Sequence, residues 1–211
     1  MEIISKYFSD FTAHQLQQFE KLGSLYKEWN EKINVISRKD IDSLYENHVL
    51  HSLSIAAAFS FNEGTEIVDL GTGGGFPGIP LAIFFPKVKF HLVDSIAKKL
   101  KIVEAVVAET GLENVTTAHN RIENIKDRKF DFVVSRAVAP LKELWRWSKP
   151  LLKTKNAIVQ EQSFAPGLIC LKGGDLATEI HESLTKPRMI EIIELFREPY
   201  FKEKYLLYVR R

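Results

Sequence analysis

The sequence predicts an α/β fold with a mainly parallel sheet of seven strands, helices on both faces and an N-terminal helical extension. From residue 64 onward, short apolar runs alternate with helical patterns, which is typical of parallel strands joined by crossover helices. Before residue 64, apolar residues recur every three or four positions, as in amphipathic helices. We therefore expect a helical segment over residues 1–63, packed on a core domain over residues 64–211.

The predicted elements follow in chain order. One helix carries an apolar stripe from Leu16 to Trp29 with Asp10 or Thr12 as its cap, and a second runs from about Ile41 to Phe59. The strands are predicted at Ile67–Leu70, Phe90–Asp94, Val115–Ala118, Phe130–Val134, Leu168–Leu171, Met189–Leu195 and Tyr205–Val209. Further helices are predicted at Ile79–Phe85, Ala97–Thr110, Leu141–Leu152 and Leu176–Leu184, and a loop at residues 153–166.

Composition narrows the class of protein. The chain has 211 residues, a formal net charge of +2 and a single cysteine, Cys170, which we interpret as a buried apolar residue. No apolar run reaches the length of a membrane span and the N-terminus lacks a secretory pattern, so we expect a cytoplasmic protein without a membrane partner. Residues 64–211 carry 23 Lys and Arg against 18 Asp and Glu. This excess would favour a phosphate-binding surface there, although solvated lysines explain it more simply.

A glycine-rich run, Asp69–Gly78, directly follows the first strand and begins a helix. Glycines allow positive φ and a close approach of backbone to ligand, and the N–H groups at the helix start face that ligand. The spacing of Gly73, Gly75 and Gly78 also matches dinucleotide-binding turns, so the glycines alone do not identify the cofactor. Asp69 would repel a pyrophosphate and suits the cationic methionine end of S-adenosylmethionine.

Charged residues follow other predicted strands. Asp94 ends the second strand, where it can accept hydrogen bonds from both hydroxyls of a ribose. Arg136 follows the fourth strand, at the edge where parallel sheets bind ligands, so we expect it to contact a ligand or a phosphate. An ion pair with Asp69 or Asp94 is the alternative for Arg136. Lys172, at the end of the next strand, is a second candidate of the same kind.

Aromatic and histidine residues give less specific signals. Trp145 and Trp147, with Arg146 and Lys149, suggest a patch on which bases could stack, although one of the two rings is expected in the core. The six histidines show no zinc-binding spacing, and no metal site is predicted.

Three segments together resemble the glucose-inhibited division protein B family: the run Val68–Ala82, Val93–Ser95 followed by Lys98 and Lys99, and the block Ser135–Leu141. Leu171–Gly173, Trp29–Asn30, Asn34, Ser37–Arg38 and His48 also fit, and the similarity spans about residues 25–185. Members of that family are bacterial methyltransferases that act on N7 of a guanine in 16S ribosomal RNA. The sequence departs from the family pattern at His51, where an Asp is frequent, and at Ile102, where an aromatic residue is common.

The resemblance implies a Rossmann-like class I methyltransferase that uses S-adenosylmethionine and acts on 16S rRNA or the small ribosomal subunit. With the glycine turn, it implies a cofactor site formed by Gly71, Gly73, Phe76, Asp94, Ile122, Glu123 and Arg136. Ile122 and Glu123 would flank the adenine. We expect a monomer.

The sequence names no catalytic residue, which agrees with the chemistry, because guanine N7 has no proton to lose and needs no general base. A methyltransferase with another RNA, protein or small-molecule substrate is the alternative. The absence of an Asn/Asp-Pro-Pro-aromatic motif after the fourth strand disfavours methylation of an exocyclic amine. Asp69 disfavours an NAD-dependent oxidoreductase, and the intact glycine turn disfavours a protein without enzymatic activity.

Overall fold

The computed structural model describes residues 1–33, 35–37, 40–126, 128–154 and 164–211. These residues contain seven strands, which form one sheet. In chain order they are β1 (Glu66–Leu70), β2 (Lys89–Asp94), β3 (Val115–His119), β4 (Phe132–Arg136), β5 (Gly167–Gly173), β6 (Arg188–Glu191) and β7 (Lys204–Arg210). The predicted α/β class and the seven-stranded sheet are confirmed.

The strand order across the sheet is β3-β2-β1-β4-β5-β7-β6. Strands β1 to β5 pair in parallel, whereas β7 runs antiparallel to both β5 and β6. The sheet is therefore mainly parallel, as predicted. From β1 the chain builds outward to β3 and then returns to place β4 on the other side of β1. A crevice forms at the carboxyl ends of β1 and β4, which is where α/β sheets bind ligands.

Eight α-helices lie within the described residues. They are α1 (Glu2–Ser5), α2 (Ala13–Lys32), α3 (His51–Ala58), α4 (Gly78–Phe84), α5 (Ala97–Thr110), α6 (Leu141–Ser148), α7 (Ala177–Ser183) and α8 (Ile192–Leu195). Helices α2 to α5 pack on one face of the sheet, and α6 and α7 pack on the other. The first helices after β1 and after β4, which are α4 and α6, therefore cover opposite faces.

The strands supply both faces of the core by simple alternation. In β5, Ile169 and Leu171 are buried in the cluster under α2 to α5, whereas Leu168 and Cys170 are buried in the cluster under α6 and α7. Successive residues of a strand point to opposite faces, so a strand covered on both sides is apolar throughout. Cys170 is completely buried, as predicted, and burial raises the pKa of its thiol to about 12.

The N-terminal helix α2 begins at a capping box. The Oγ1 atom of Thr12 accepts a hydrogen bond from the amide of Gln15 at 3.2 Å, and Gln15 Oε1 accepts one from the amide of Thr12 at 3.0 Å. Thr12, not Asp10, is thus the cap. The buried side of α2, which includes Leu22 and Tyr26, shares its core with the sheet. The division of the chain at residues 63 and 64 stays a prediction.

Three predicted elements differ in type. The predicted helix Ile41–Phe59 is a π-helical segment at Leu44–Leu50 that continues into α3. The predicted helix Leu141–Leu152 ends as α6 at Ser148, and a 3-10 turn at Lys149–Leu151 follows because Pro150 has no amide hydrogen for an α-helical bond. The predicted strand Met189–Leu195 is β6 followed by α8, since a short apolar run fits either conformation.

The strand predicted at Phe130–Val134 begins two residues later and includes Arg136. Helix α1 was not predicted. Asn34, Arg38 and residues 155–163 of the predicted loop 153–166 lie outside the described residues. No described helix combines the length and the apolarity that crossing a membrane requires.

Candidate active site

The glycine turn between β1 and α4 is folded around one buried carboxylate. Gly71 and Gly73 have φ angles of 69° and 58°, in the left-handed region that favours glycine. Asp69 Oδ2 accepts hydrogen bonds from Thr72 Oγ1 at 2.7 Å and from the amide of Gly78 at 2.8 Å. A Cβ on Gly78 would lie 2.8 Å from that same oxygen, so the start of α4 requires a glycine.

The geometry of the site does not support the expectation that Asp69 contacts the cofactor, which stays a prediction. The side chain is completely buried beneath the turn and lines neither of the cavities described below. Burial raises its pKa to about 7. Thr72 and Gly78 bind its Oδ2, so Asp69 holds the backbone of the turn in place.

Asp94 ends β2 and binds the turn from the other side. Its Oδ2 accepts a hydrogen bond from the amide of Gly73 at 2.8 Å, and its Oδ1 accepts one from the amide of Ile96 at 2.8 Å. A carboxylate oxygen can accept two hydrogen bonds, so each oxygen keeps capacity for a ligand hydroxyl. Asp94 is 5% exposed and lines both cavities.

Two adjoining cavities open at the carboxyl ends of β1, β2 and β4. The large cavity, of about 510 Å³, is lined by Gly71, Gly73, Phe76, Asp94 and Arg136 among others, and the small cavity, of about 290 Å³, by Gly71, Asp94, Ile122 and Glu123 among others. The structure thus brings all seven predicted site residues to one crevice. Gly71, Asp94, Ser95 and Val138 line both cavities and form the boundary between them.

The small cavity has largely apolar walls, which suit a planar ring. Leu70, Val93, Ile122 and Val138 contribute apolar surface, and Trp147 lies among the lining residues. The Nε1 atom of Trp147 is buried without a hydrogen-bond partner among the described residues.

Sequence reasoning did not place Trp147 or Val138 in the site. Trp145 and Trp147 are both partly buried against the core. The expectation that one of the two would be a core residue is therefore met by neither. Arg146 lies over the Trp147 ring, 5.9 Å from its centroid. The position of Trp147 on α6, directly after the strand that carries Arg136, was the available signal.

Phe76 is the centre of an aromatic and cationic wall of the large cavity. The guanidinium of Arg136 lies 5.1 Å from the centroid of its ring, the ring of His48 lies at 5.2 Å and that of Tyr26 at 4.9 Å. Tyr26 also donates a hydrogen bond to the carbonyl of Gly74 at 2.5 Å. Helix α2 and the π-helical segment thereby contact the glycine turn.

Arg136 is partly buried and forms an ion pair with neither Asp69 nor Asp94, which was the alternative to a ligand contact. Its Nη1 donates to the carbonyl of Asn47 at 3.1 Å, and its Nη2 donates to His48 Nδ1 at 2.7 Å. A guanidinium can only donate, so Nδ1 of His48 accepts and the ring proton lies on Nε2. Burial and the positive charge of Arg136 lower the pKa of His48 to about 4, so this ring is neutral near pH 7.

Lys172 lies outside both cavities, so the sequence expectation that it meets a ligand is not supported. Its Nζ pairs with Glu179 Oε1 at 2.5 Å and donates to the carbonyl of Ala139 at 2.5 Å. His51 is buried beside Tyr200 and lines the large cavity. Among the described residues, no group of three or more His, Cys, Asp or Glu side chains is arranged to hold a metal ion.

Two solved structures have a fold similar to that of this chain. One is MtNAS in complex with MTA and tNA, with a TM-score of 0.62, 14% identity and coverage of 93% of this chain and 74% of the other. Another is a SAM-dependent methyltransferase from Aquifex aeolicus, with a TM-score of 0.53, 16% identity and coverage of 79% and 92%. These similarities support the fold. The sheet order, the glycine turn and the crevice define a Rossmann-like fold of the class I methyltransferase type.

The family follows from sequence comparison. The model of the GidB family, described as rRNA small subunit methyltransferase G, matches residues 15–199. Relatives named ribosomal RNA small subunit methyltransferase G occur in Porphyromonas gingivalis, 53% identical over 99% of this chain and 92% of the relative, and in Bacteroides thetaiotaomicron, 54% identical over 99% and 98%. The chain belongs to the GidB family, and the resemblance read from the sequence is confirmed.

Proposed function

We propose that this chain transfers a methyl group from S-adenosylmethionine to N7 of a guanine in 16S rRNA. Its curated relatives are named for methylation of small-subunit ribosomal RNA, which supports the substrate class. The observation that carries the proposal is the convergence of Gly71, Gly73, Asp94 and Arg136 on two adjoining cavities at the β1–β4 crevice.

The lining residues fit this cofactor. A Cβ on Gly73 would meet no atom within 4 Å, so the turn leaves open space where a ligand can approach the backbone. We assign the adenine to the small cavity, between Ile122 and Val138, and the ribose hydroxyls to Asp94. The methionine end then lies against the turn in the large cavity. When bound, the cofactor supplies a methyl group on a cationic sulfur, which a nucleophile can displace in line.

The residues of the large cavity position the base and transfer no proton. Guanine N7 carries a lone pair and no hydrogen, so its attack requires no base. His48 is neutral at physiological pH and its ring is fixed by Arg136, while Phe76 presents an aromatic wall. Orientation and removal of water are therefore the contributions that we assign to the protein.

Basic residues at the rim support an RNA substrate. Lys98 is exposed at the start of α5, its neighbour Lys99 lines the large cavity, and the exposed Arg121 lines the small one. Lysine and arginine supply the electrostatic part of nucleic-acid binding. N7 lies in the deep major groove of A-form RNA, so the target guanine is expected to be unpaired or splayed.

We also propose that the protein acts as a monomer in the cytoplasm.

The test uses the purified chain, S-adenosylmethionine labelled in the methyl group, and small subunits from cells that lack this enzyme. We expect label in N7-methylguanosine from 16S rRNA, and no label in a control reaction that contains large subunits from the same cells in place of small ones. Label in a ribosomal protein or at another RNA atom would support the alternative substrates. Calorimetry that shows binding of NAD and not of S-adenosylmethionine would overturn the cofactor assignment.

A further inference from the structure

The segment Ala137–Pro140 connects β4 to α6 and forms part of the boundary between the two cavities. Ala137 has a φ of 54°, which is unusual for a residue with a side chain. Val138 remains 39% exposed, although it is apolar, and it lines both cavities. A Cβ on Gly71 would lie only 2.6 Å from Val138 Cγ2, so this valine packs directly on the glycine turn.

A strained backbone of this kind persists only when its surroundings hold it, because the left-handed region is unfavourable for a residue with a side chain. The residues on either side of Pro140 provide the restraints. Lys172 Nζ, at the end of β5, donates to the carbonyl of Ala139 at 2.5 Å. Glu179 Oε1, on α7, accepts from the amide of Leu141 at 2.6 Å.

Lys172 and Glu179 also bind each other, with Nζ and Oε1 2.5 Å apart. Their side chains are only 10% and 25% exposed, so this pair is shielded from solvent far more than ordinary surface ion pairs. The lysine charge is thus neutralised inside the protein, beside the cleft and outside its lining. Such a lysine is poorly placed to meet an RNA phosphate.

We propose that Lys172 and Glu179 are positioning residues that hold the segment Ala137–Pro140 in its strained conformation and so keep Val138 between the cofactor subsites. They act on cofactor affinity through Val138 and Gly71, without touching the cofactor or the RNA. The inference rests on the proposed use of S-adenosylmethionine in these cavities, and it does not depend on the identity of the methylated base.

The experiment compares Lys172→Met and Glu179→Gln with the wild-type chain by calorimetric titration with S-adenosylmethionine in the absence of RNA. We expect each variant to weaken binding about tenfold. Lys172→Met removes the hydrogen bond to the Ala139 carbonyl, and Glu179→Gln, whose amide oxygen can still accept from Leu141, removes the negative charge that holds Lys172 in place. The double variant should be little weaker than either single variant, because both act through one network. In steady-state assays, KM for the cofactor rises while KM for the RNA substrate and kcat at saturating cofactor stay close to wild type.

Matched controls come from an ion-pair cluster at the amino-terminal end of β1, away from the carboxyl ends of the strands where the cavities lie. Lys153 pairs with Glu66, the first residue of β1, and with Asp131, each at 3.0 Å. Lys153→Met and Glu66→Gln make the same charge changes and are expected to leave cofactor affinity unchanged. They show whether any loss of affinity is a general effect of removing an ion pair.

The outcomes distinguish failure of this inference from failure of the proposed function. Wild-type affinity in both test variants overturns this inference alone, whereas a wild-type chain that does not bind S-adenosylmethionine overturns the proposed function. If Lys172→Met raises only KM for RNA and Glu179→Gln has no effect, Lys172 is an RNA contact and the inference is wrong. A lower melting temperature with unchanged cofactor affinity would likewise refute it, because that is the result of a purely structural role.

Discussion

Replacement of Gly73 by valine tests whether the glycine turn is the cofactor site. Gly73 has a φ of 58° and its amide donates to Asp94 Oδ2 at 2.8 Å. Valine in the left-handed region costs about 1–3 kcal/mol, and the strain disturbs a hydrogen bond to a carboxylate worth about 1.5–3 kcal/mol. Because Gly73 lines the large cavity, the new methyl groups also occupy ligand space. We expect the Kd for S-adenosylmethionine to rise about 10- to 100-fold.

Gly64 offers a matched control for this substitution. It has a φ of 79° and a Cβ there would meet no atom within 4 Å, as at Gly73, but it precedes β1 and lies outside both cavities. Gly64→Val should therefore lower the melting temperature by a similar few degrees and leave cofactor affinity unchanged. Thermal unfolding and calorimetry on both variants distinguish a general loss of stability from a specific loss of cofactor affinity. A folded Gly73→Val protein with normal cofactor affinity would show that the turn is not the site.

Three other substitutions give distinct readouts. Asp94→Ala should weaken S-adenosylmethionine binding by at least about tenfold through lost charge-assisted hydrogen bonds, and unchanged affinity would remove Asp94 from the ribose role. Arg136→Lys should retain less than about a tenth of the methyl-transfer rate, because an ammonium cannot bind the carbonyl of Asn47 and the ring of His48 as the planar guanidinium does. It should also lower stability, since Arg136 is partly buried, and a fully active Arg136→Lys protein would refute its role in the cleft. Asp69→Asn tests the raised pKa of Asp69. The folded state binds the Asp69 proton more tightly than the unfolded state does. The contribution of Asp69 to the free energy of unfolding is therefore fully present below about pH 4 and is lost as the pH rises towards about 7. Relative to wild type, Asp69→Asn should gain up to about 1.4 kcal/mol per pH unit across that window in urea unfolding, and a difference independent of pH would contradict the buried, raised carboxyl.

The parts of the fold that the sequence predicts well depend on local patterns. β1, β2 and α5 were predicted to within a residue or so because apolar runs of strand length alternate with a helix that ends at Gly111, which adopts φ 66°. β6 was predicted too long, because the same apolar run serves β6 and α8 and only the neighbouring β7 decides where pairing stops.

In the site, too, the sequence predicts positions that depend on local pattern and does not predict side-chain contacts. Gly71, Gly73 and Asp94 follow strands directly, so the sequence places them at one edge of the sheet. The roles of Asp69 and Lys172 depend on which way a side chain points and on which partner reaches it first, and these are tertiary properties. Thr72 and Gly78 bind Asp69 from inside the turn, and Glu179 binds Lys172 from α7, the helix that follows β5 in the chain.

The most direct test of the central claim is a base-level map of methylation on 16S rRNA from cells that lack this protein, compared with the same cells expressing the wild-type chain or Gly73→Val. Reduction and strand cleavage at N7-methylguanosine give the position and the extent of modification. We expect one guanine to lose N7 methylation in the deletion strain, to regain it with the wild-type chain and not to regain it with Gly73→Val. An unchanged methylation map in the deletion strain would contradict it.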